Sequence, residues 1–281
     1  MGSVVESSVK LPVRTRVYGV DFSGARAAGH KIWITRASIC ENVLHIEACA
    51  PATLLLNVAA ERTACLKALR TLISHERKAI FGLDFPFGVP SQLVKETSWE
   101  EYLRAFPERY VTPQQFRVAC YLAAGERELK RLTDYENSAP WASYNLRLYR
   151  QTFYGIAAVL APLVTEGIAC ALPMQRARAN CAWLVEICPA ATLKRYELYT
   201  PYKGGEARHR RARIMILEAI EHLAPLQLVE VGLRNLIVEE KGGDALDSVV
   251  AAWATWVALQ KLLEAEEITH PLYVLEGYIY S

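Results

Sequence analysis

VYGVDFSGAR, Val17 to Arg26, reads as a β-strand that ends on a carboxylate: small and apolar residues run as far as Asp21, and Phe22-Ser23-Gly24 breaks the pattern. A carboxylate at a strand tip needs solvent, a turn or a cation, because an isolated buried charge is costly. A hairpin turn would account for this stretch taken alone. The same grammar recurs, however, in AIFGLDFPFG, where an apolar run ends at Asp84 before Pro86, and in CAWLVEICP, where one ends at Glu186 before Pro189.

The 281 residues around these tips are 52% hydrophobic and 22% charged, enough for a full core in one large domain or in a core with an insertion. A formal net charge of +2 gives no bulk attraction to polyanions, so any contact with nucleic acid must come from local basic clusters. The seven cysteines include no C-x-x-C pair and read as reduced core residues of a cytoplasmic protein. Residues 1–13 lack an apolar signal core and read as a flexible tail. No later run reaches the ~18 apolar residues of a membrane span, so no membrane partner is expected.

After Gly24, KIWITRASI and VLHIEACA alternate, which predicts a meander of three antiparallel strands. Apolar positions from Leu55 to Leu72 fall at helical spacing, and this helix returns the chain to the strand before Asp84, parallel to the first. Residues 91–180 are rich in Trp, Tyr, Arg and Glu and read as a helical insertion, a candidate substrate lid between core segments 14–90 and 181–281. Within it, Arg131, Asp134, Arg147 and Gln151 lie among aromatic residues, a mixture suited to gripping phosphates and stacking on bases. For any one of them a solvated helix face is the plainer account. Further on, Lys203-Gly204-Gly205 precedes a helix with Arg208, Arg210, Arg211 and Arg213 in its first turns, where cations oppose the helix dipole unless an anion binds. LQLVEV and YVLEGYIY read as short strands.

In KGGDALDSVVAAWATWVAL, Asp244 and Asp247 share one face of a helix start, a pattern that suits helix capping and metal binding alike. Gly242-Gly243 permits close backbone approach, and Ala251, Ala252, Ala254 and Ala258 let the helix lie tight on a sheet. The acids Asp21, Asp84, Glu186, Asp244 and Asp247 are therefore the candidate catalytic residues. Asp21, Asp84 and Asp247 are the expected metal ligands, and Asp244 or Glu186 would complete a second metal or orient water. Oxygen-only donors suit Mg2+ or Mn2+, and two such ions clamp the attacking and leaving oxygens of a phosphoryl displacement.

VDFSGA, LDFPFG, VEICPAATLK with YK after it, and DALDSVVAAW together resemble the domain-of-unknown-function family numbered 429, over about Val17 to Tyr280. That resemblance implies an α/β ribonuclease H-like fold, a mixed sheet of three antiparallel strands and then parallel ones, flanked by helices and carrying a helical insertion. It also implies a metal-dependent nuclease acting on DNA or RNA. On the reading of the basic clusters above, Arg131, Arg147, Lys203 and Arg208 would hold phosphates, with Asp134 and Gln151 grouped with them. Two alternatives stay open. A nucleotide-dependent phosphotransferase of the same broad fold would need a second phosphate loop that LDFPFG does not resemble; a non-catalytic scaffold would use the acids only as caps and hydrogen-bond acceptors.

Overall fold

Seven strands, β1 (Arg16–Asp21), β2 (Trp33–Cys40), β3 (Val43–Pro51), β4 (Ala79–Leu83), β5 (Ala169–Leu172), β6 (Ala182–Glu186) and β7 (Leu226–Leu228), form one mixed sheet in the order β5-β6-β4-β1-β2-β3-β7. The structure is a computed structural model that describes residues 13–264 and 268–281. β1, β2 and β3 make an antiparallel meander, reversed between β2 and β3 by Glu41 and Asn42, both at positive φ. The helix Arg62–His75 carries the chain onward so that β4 joins β1 in parallel, and β6 and β5 extend the sheet in the same direction. Three antiparallel strands followed by parallel ones, with helices on both faces, is the ribonuclease H-like arrangement expected from the motifs.

Strand parity decides which face each residue serves. Tyr18 and Val20 of β1, Phe81 and Leu83 of β4 and Leu184 of β6 enter one core, shared with the Arg62–His75 helix and with helices between residues 99 and 165. Val17, Ile80, Trp183 and Val185 enter the other, under the helices Ala207–Leu223, Leu233–Glu239 and Asp244–Leu263. On this second face Gly19 and Gly82 pair across β1 and β4. They floor a trough for the Asp244–Leu263 helix: a methyl group on Gly19 would stand 2.2 Å from Ser248 O and Ala252 N, and one on Gly82 would stand 1.8 Å from Thr255 Oγ1. Glycine alone allows that approach. Buried Ala251, Ala252, Ala254 and Ala258 supply the small-residue surface of the helix, and a 2.8 Å hydrogen bond joins Thr35 Oγ1 to Ser248 Oγ.

Local physics overrides several sequence expectations. The helix expected over Leu55–Leu72 is two pieces, Ala52–Leu55 and Arg62–His75, split by a turn with Asn57 at φ 50°. Glu61 caps the second piece by accepting the N–H groups of Thr63 and Ala64. The stretch 91–180 is not helical throughout, because its four residues Ala169–Leu172 form the edge strand β5, too short and too uniformly buried to show a period. The expected strand over Leu226–Val231 ends at Leu228. Near the C-terminus Pro271, in the first turn, and His270, whose Nδ1 accepts from Leu272 N, start a helix over Pro271–Glu276, and only Ile279 bridges to the sheet, beside Glu186. Apart from Val13, the tail expected over residues 1–13 lies outside the described residues. The seven cysteines are free thiols, five of them buried. No helix among the described residues is long and apolar enough to cross a membrane.

Candidate active site

β1 ends at Asp21, and Asp84 follows β4 with its N–H donating to Val20 O at 3.0 Å, which sets the two acids side by side. Both continue the parity of Gly19 and Gly82 and so face the Asp244–Leu263 helix. That helix, seated in its glycine trough, brings Asp247 of its first turn against them. Three carboxylates from distant parts of the chain thus meet at one end of the sheet.

Their electrostatics follow from crowding. Asp21 and Asp84 stand within hydrogen-bonding reach of each other. Burial and then the charge of Asp247 push Asp84 up to about 8, and burial, Asp247 and Asp84 hold Asp21 well above the usual carboxylate range; Lys203 opposes both shifts. Asp247 itself is fully engaged. The Tyr202 hydroxyl donates to Oδ1, and Lys203 Nζ lies 2.5 Å from Oδ2. Burial and the same carboxylate raise the Tyr202 phenol, which keeps it a donor. Asp244 stands apart from the cleft and faces Lys31 at 3.9 Å; burial raises its carboxyl while Lys203 pulls the other way. Gly243, at φ 81°, is the helix N-cap without any side-chain cap, so neither Asp244 nor Asp247 serves as a capping carboxylate.

Glu186 and Arg131 depart from their expected roles. β6 pairs Glu186 with Leu83, so the Glu186 side chain has the parity of Leu83 rather than of Gly82, although it still borders the same cleft as Asp21 and Asp84. There it meets Arg131, which is only 1% exposed. Arg131 gives Nη1 to Glu186 Oε2 (2.8 Å) and Glu276 O (3.2 Å), Nη2 to Glu186 Oε1 (2.5 Å) and Asp134 Oδ1 (2.7 Å), and Nε to Asp134 Oδ2 (3.1 Å). Its five N–H donors are spent, so it has none for a phosphate, and Asp134 is likewise bonded to it. Burial pulls the Arg131 guanidinium down, but Asp134 and Glu186 outweigh it and hold it well above its ordinary value. Burial raises Glu186, with Arg131 opposing. Glu186 also accepts from Phe87 N at 2.9 Å, which ties the segment after Asp84 to the same clamp.

The cleft over the acids has a volume of about 520 Å³. Beside the acids it is lined by Trp141, Arg147, Gln151, Tyr199, Tyr202 and Lys203, and also by Arg131, Asp134 and Glu186. The Arg147 guanidinium lies 4.8 Å over the Trp141 ring, and Gln151 Nε2 donates to the Asp84 carbonyl. Arg208 is outside this cleft, exposed and paired with Glu206 at 3.0 Å. Arg213 is not a surface cation; it is buried and donates Nε to Val238 O (2.7 Å) and Nη1 to Tyr202 O (2.5 Å) and Gly204 O (3.0 Å). It thereby braces the loop that delivers Lys203. Sequence reasoning missed Trp141, Tyr199 and Tyr202, although PYKGG placed a tyrosine beside the lysine; nothing in the sequence marked Glu276.

Among the described residues no group of three or more His, Cys, Asp or Glu side chains is placed to hold one metal ion. The Asp21–Asp84 pair nevertheless fits a hard divalent cation: its donors are all oxygen, and a cation would relieve the repulsion and burial that raise both carboxyls. No protein-family model and no curated protein matches the chain. Among solved structures it is similar to a yeast mitochondrial Holliday junction resolvase, 12% identical over 91% of this chain and 84% of that one, with a TM-score of 0.38.

Proposed function

We propose that the protein is a Mg2+- or Mn2+-dependent nuclease that hydrolyses phosphodiester bonds of DNA or RNA. The observation that carries this is the convergence of Asp21, Asp84 and Asp247 on one cleft that also holds Arg147 and Lys203. Asp21 and Asp84 hold the cation, which when bound activates water and offsets phosphate charge. Arg147 and Lys203 face the phosphates, while Trp141 and Tyr199 offer ring faces to bases. The helices between residues 99 and 165 act as the substrate lid, fastened to the sheet through Arg131. The motif resemblance to the family numbered 429 points the same way.

Replacing Asp84 with Asn tests this. Mn2+-dependent cleavage of single-stranded, duplex or branched substrates should fall about 100-fold or more, and Mn2+ should stop raising the melting temperature. The metal-free variant carries a second signature. Asp84 is raised from 3.8 to about 8 in the fold, so its contribution to stability is full below about pH 3.8 and is lost as pH rises through about 8. Asp84→Asn should therefore equal the metal-free parent at acid pH and exceed it at pH 8 to 9, by roughly 1–2 kcal/mol given the partial solvent access of the site. A parent with no metal-induced stabilisation and no cleavage would leave the scaffold reading as the better one.

A further inference from the structure

We propose that the Lys203 ammonium is a built-in second cation of the acid cluster, so that the site binds one divalent ion where a bare carboxylate cluster would bind two. The inference rests on the metal-dependent reading above and specifies the cation inventory of that same site.

The contacts of Lys203 place this charge. Lys203 Nζ is 2.5 Å from Asp247 Oδ2 while the Tyr202 hydroxyl takes Oδ1, so both oxygens of one expected ligand already have protein donors. The charge of Lys203 also acts on Asp21, Asp84 and Asp244. With Asp21, Asp84 and Asp247 all ionised, as ligation of a cation requires, three carboxylates and one ammonium leave two negative charges at the cleft floor, which one divalent cation balances and two would overbalance.

The lysine is delivered by construction. Buried Arg213 grips the carbonyls of Tyr202 and Gly204, the residues on either side of Lys203, and Gly204 N donates to Lys241 O at 2.8 Å. The stem then crosses Gly243: a methyl group there would stand 2.9 Å from Lys203 Cγ and 3.0 Å from the Tyr202 ring. Gly243 is thus required twice, for its left-handed φ of 81° and for the passage of the lysine stem. The G-G before D-x-x-D serves the cation as well as the helix start. The Lys203 side chain is 54% exposed, so this support rather than burial fixes its place.

The test is calorimetric titration of Mn2+ into the full chain, with Lys203→Met and Lys203→Arg beside it. The parent should take up one Mn2+ per chain and Lys203→Arg one; Lys203→Met, which keeps the stem and removes the charge, should take up two. Circular dichroism checks that each variant is folded, and the parent count stands as a test even where a variant is not. A parent that binds two ions overturns the inference and leaves the proposed nuclease intact, as does a folded Lys203→Met that still binds one ion with unchanged affinity. A parent that binds none overturns both.

Discussion

Gly19→Ala should lower the melting temperature by about 6–12 °C and weaken Mn2+ binding, although it adds one methyl group to the middle of a strand. The new Cβ would stand 2.2 Å from Ser248 O and Ala252 N and 2.7 Å from Ala252 Cα. These are backbone atoms of a buried helix, which cannot swing aside as a side chain could. The helix must lift off the sheet, and overpacking of that kind costs about 3 kcal/mol or more, which for a chain of this size is a shift of several degrees. Asp247 rides on the same helix, two turns or less from the clash, so the acids should separate as stability falls. Gly232→Ala is the matched control: nothing lies within 4 Å of the added methyl, and its φ of −81° suits alanine, so a neutral or slightly stabilising change is expected. Thermal unfolding of the pair checks this, and equal melting temperatures would remove the trough as the determinant of helix placement.

Arg131→Met should cost about 3–5 kcal/mol, since it leaves Asp134 and Glu186 buried with their common cation gone. The sign with pH is that of any carboxylate losing its cation. Without Arg131 the Glu186 carboxyl, already raised by burial, is raised further, so the variant is closest to the parent in acid, where that group is protonated, and falls away as pH rises. Arg131→Lys should recover part of the loss but not the fork of five donors shared among Asp134, Glu186 and the Glu276 carbonyl. Denaturant unfolding at pH 5 and pH 8 measures both; a variant as stable as the parent at pH 8 would show that the clamp is dispensable.

The strand-tip acids were legible because each ends a run of apolar residues that only a sheet can bury, and the D-x-x-D spacing marked the helix that crosses them. What the local pattern could not carry was face. Asp84 and Glu186 end similar runs, yet register with β1 and β6 gives them opposite parity, and register is a property of pairs of strands. The role of Arg131 was hidden for a related reason: its partners Glu186 and Glu276 lie 55 and 145 residues away. As an arginine among aromatic residues it looked like Arg147; both line the cleft, but Arg131 has its donors bound to Asp134, Glu186 and Glu276. Lys203 was read as a phosphate contact alone because nothing in PYKGGEARHR showed that Asp247 would stand beside it. The buried Arg213 in the same run looked like one more surface cation.

The bonds made by Glu276 set a schedule. Its carboxylate accepts from Ser91 N and Leu132 N, its carbonyl accepts from Arg131, and just beyond it Ile279 N donates to Thr133 Oγ1 and Tyr280 N to Glu186 O. Each partner precedes this segment in the chain by about 90 residues or more, so a ribosome has made all of them before it makes Glu276. A nascent chain can pair β1 with β2 and β4 while the Arg131 segment still lacks its bond to Glu276. The segment around Glu276 thus fastens Ser91, Arg131 and Leu132 only after all three have been synthesised.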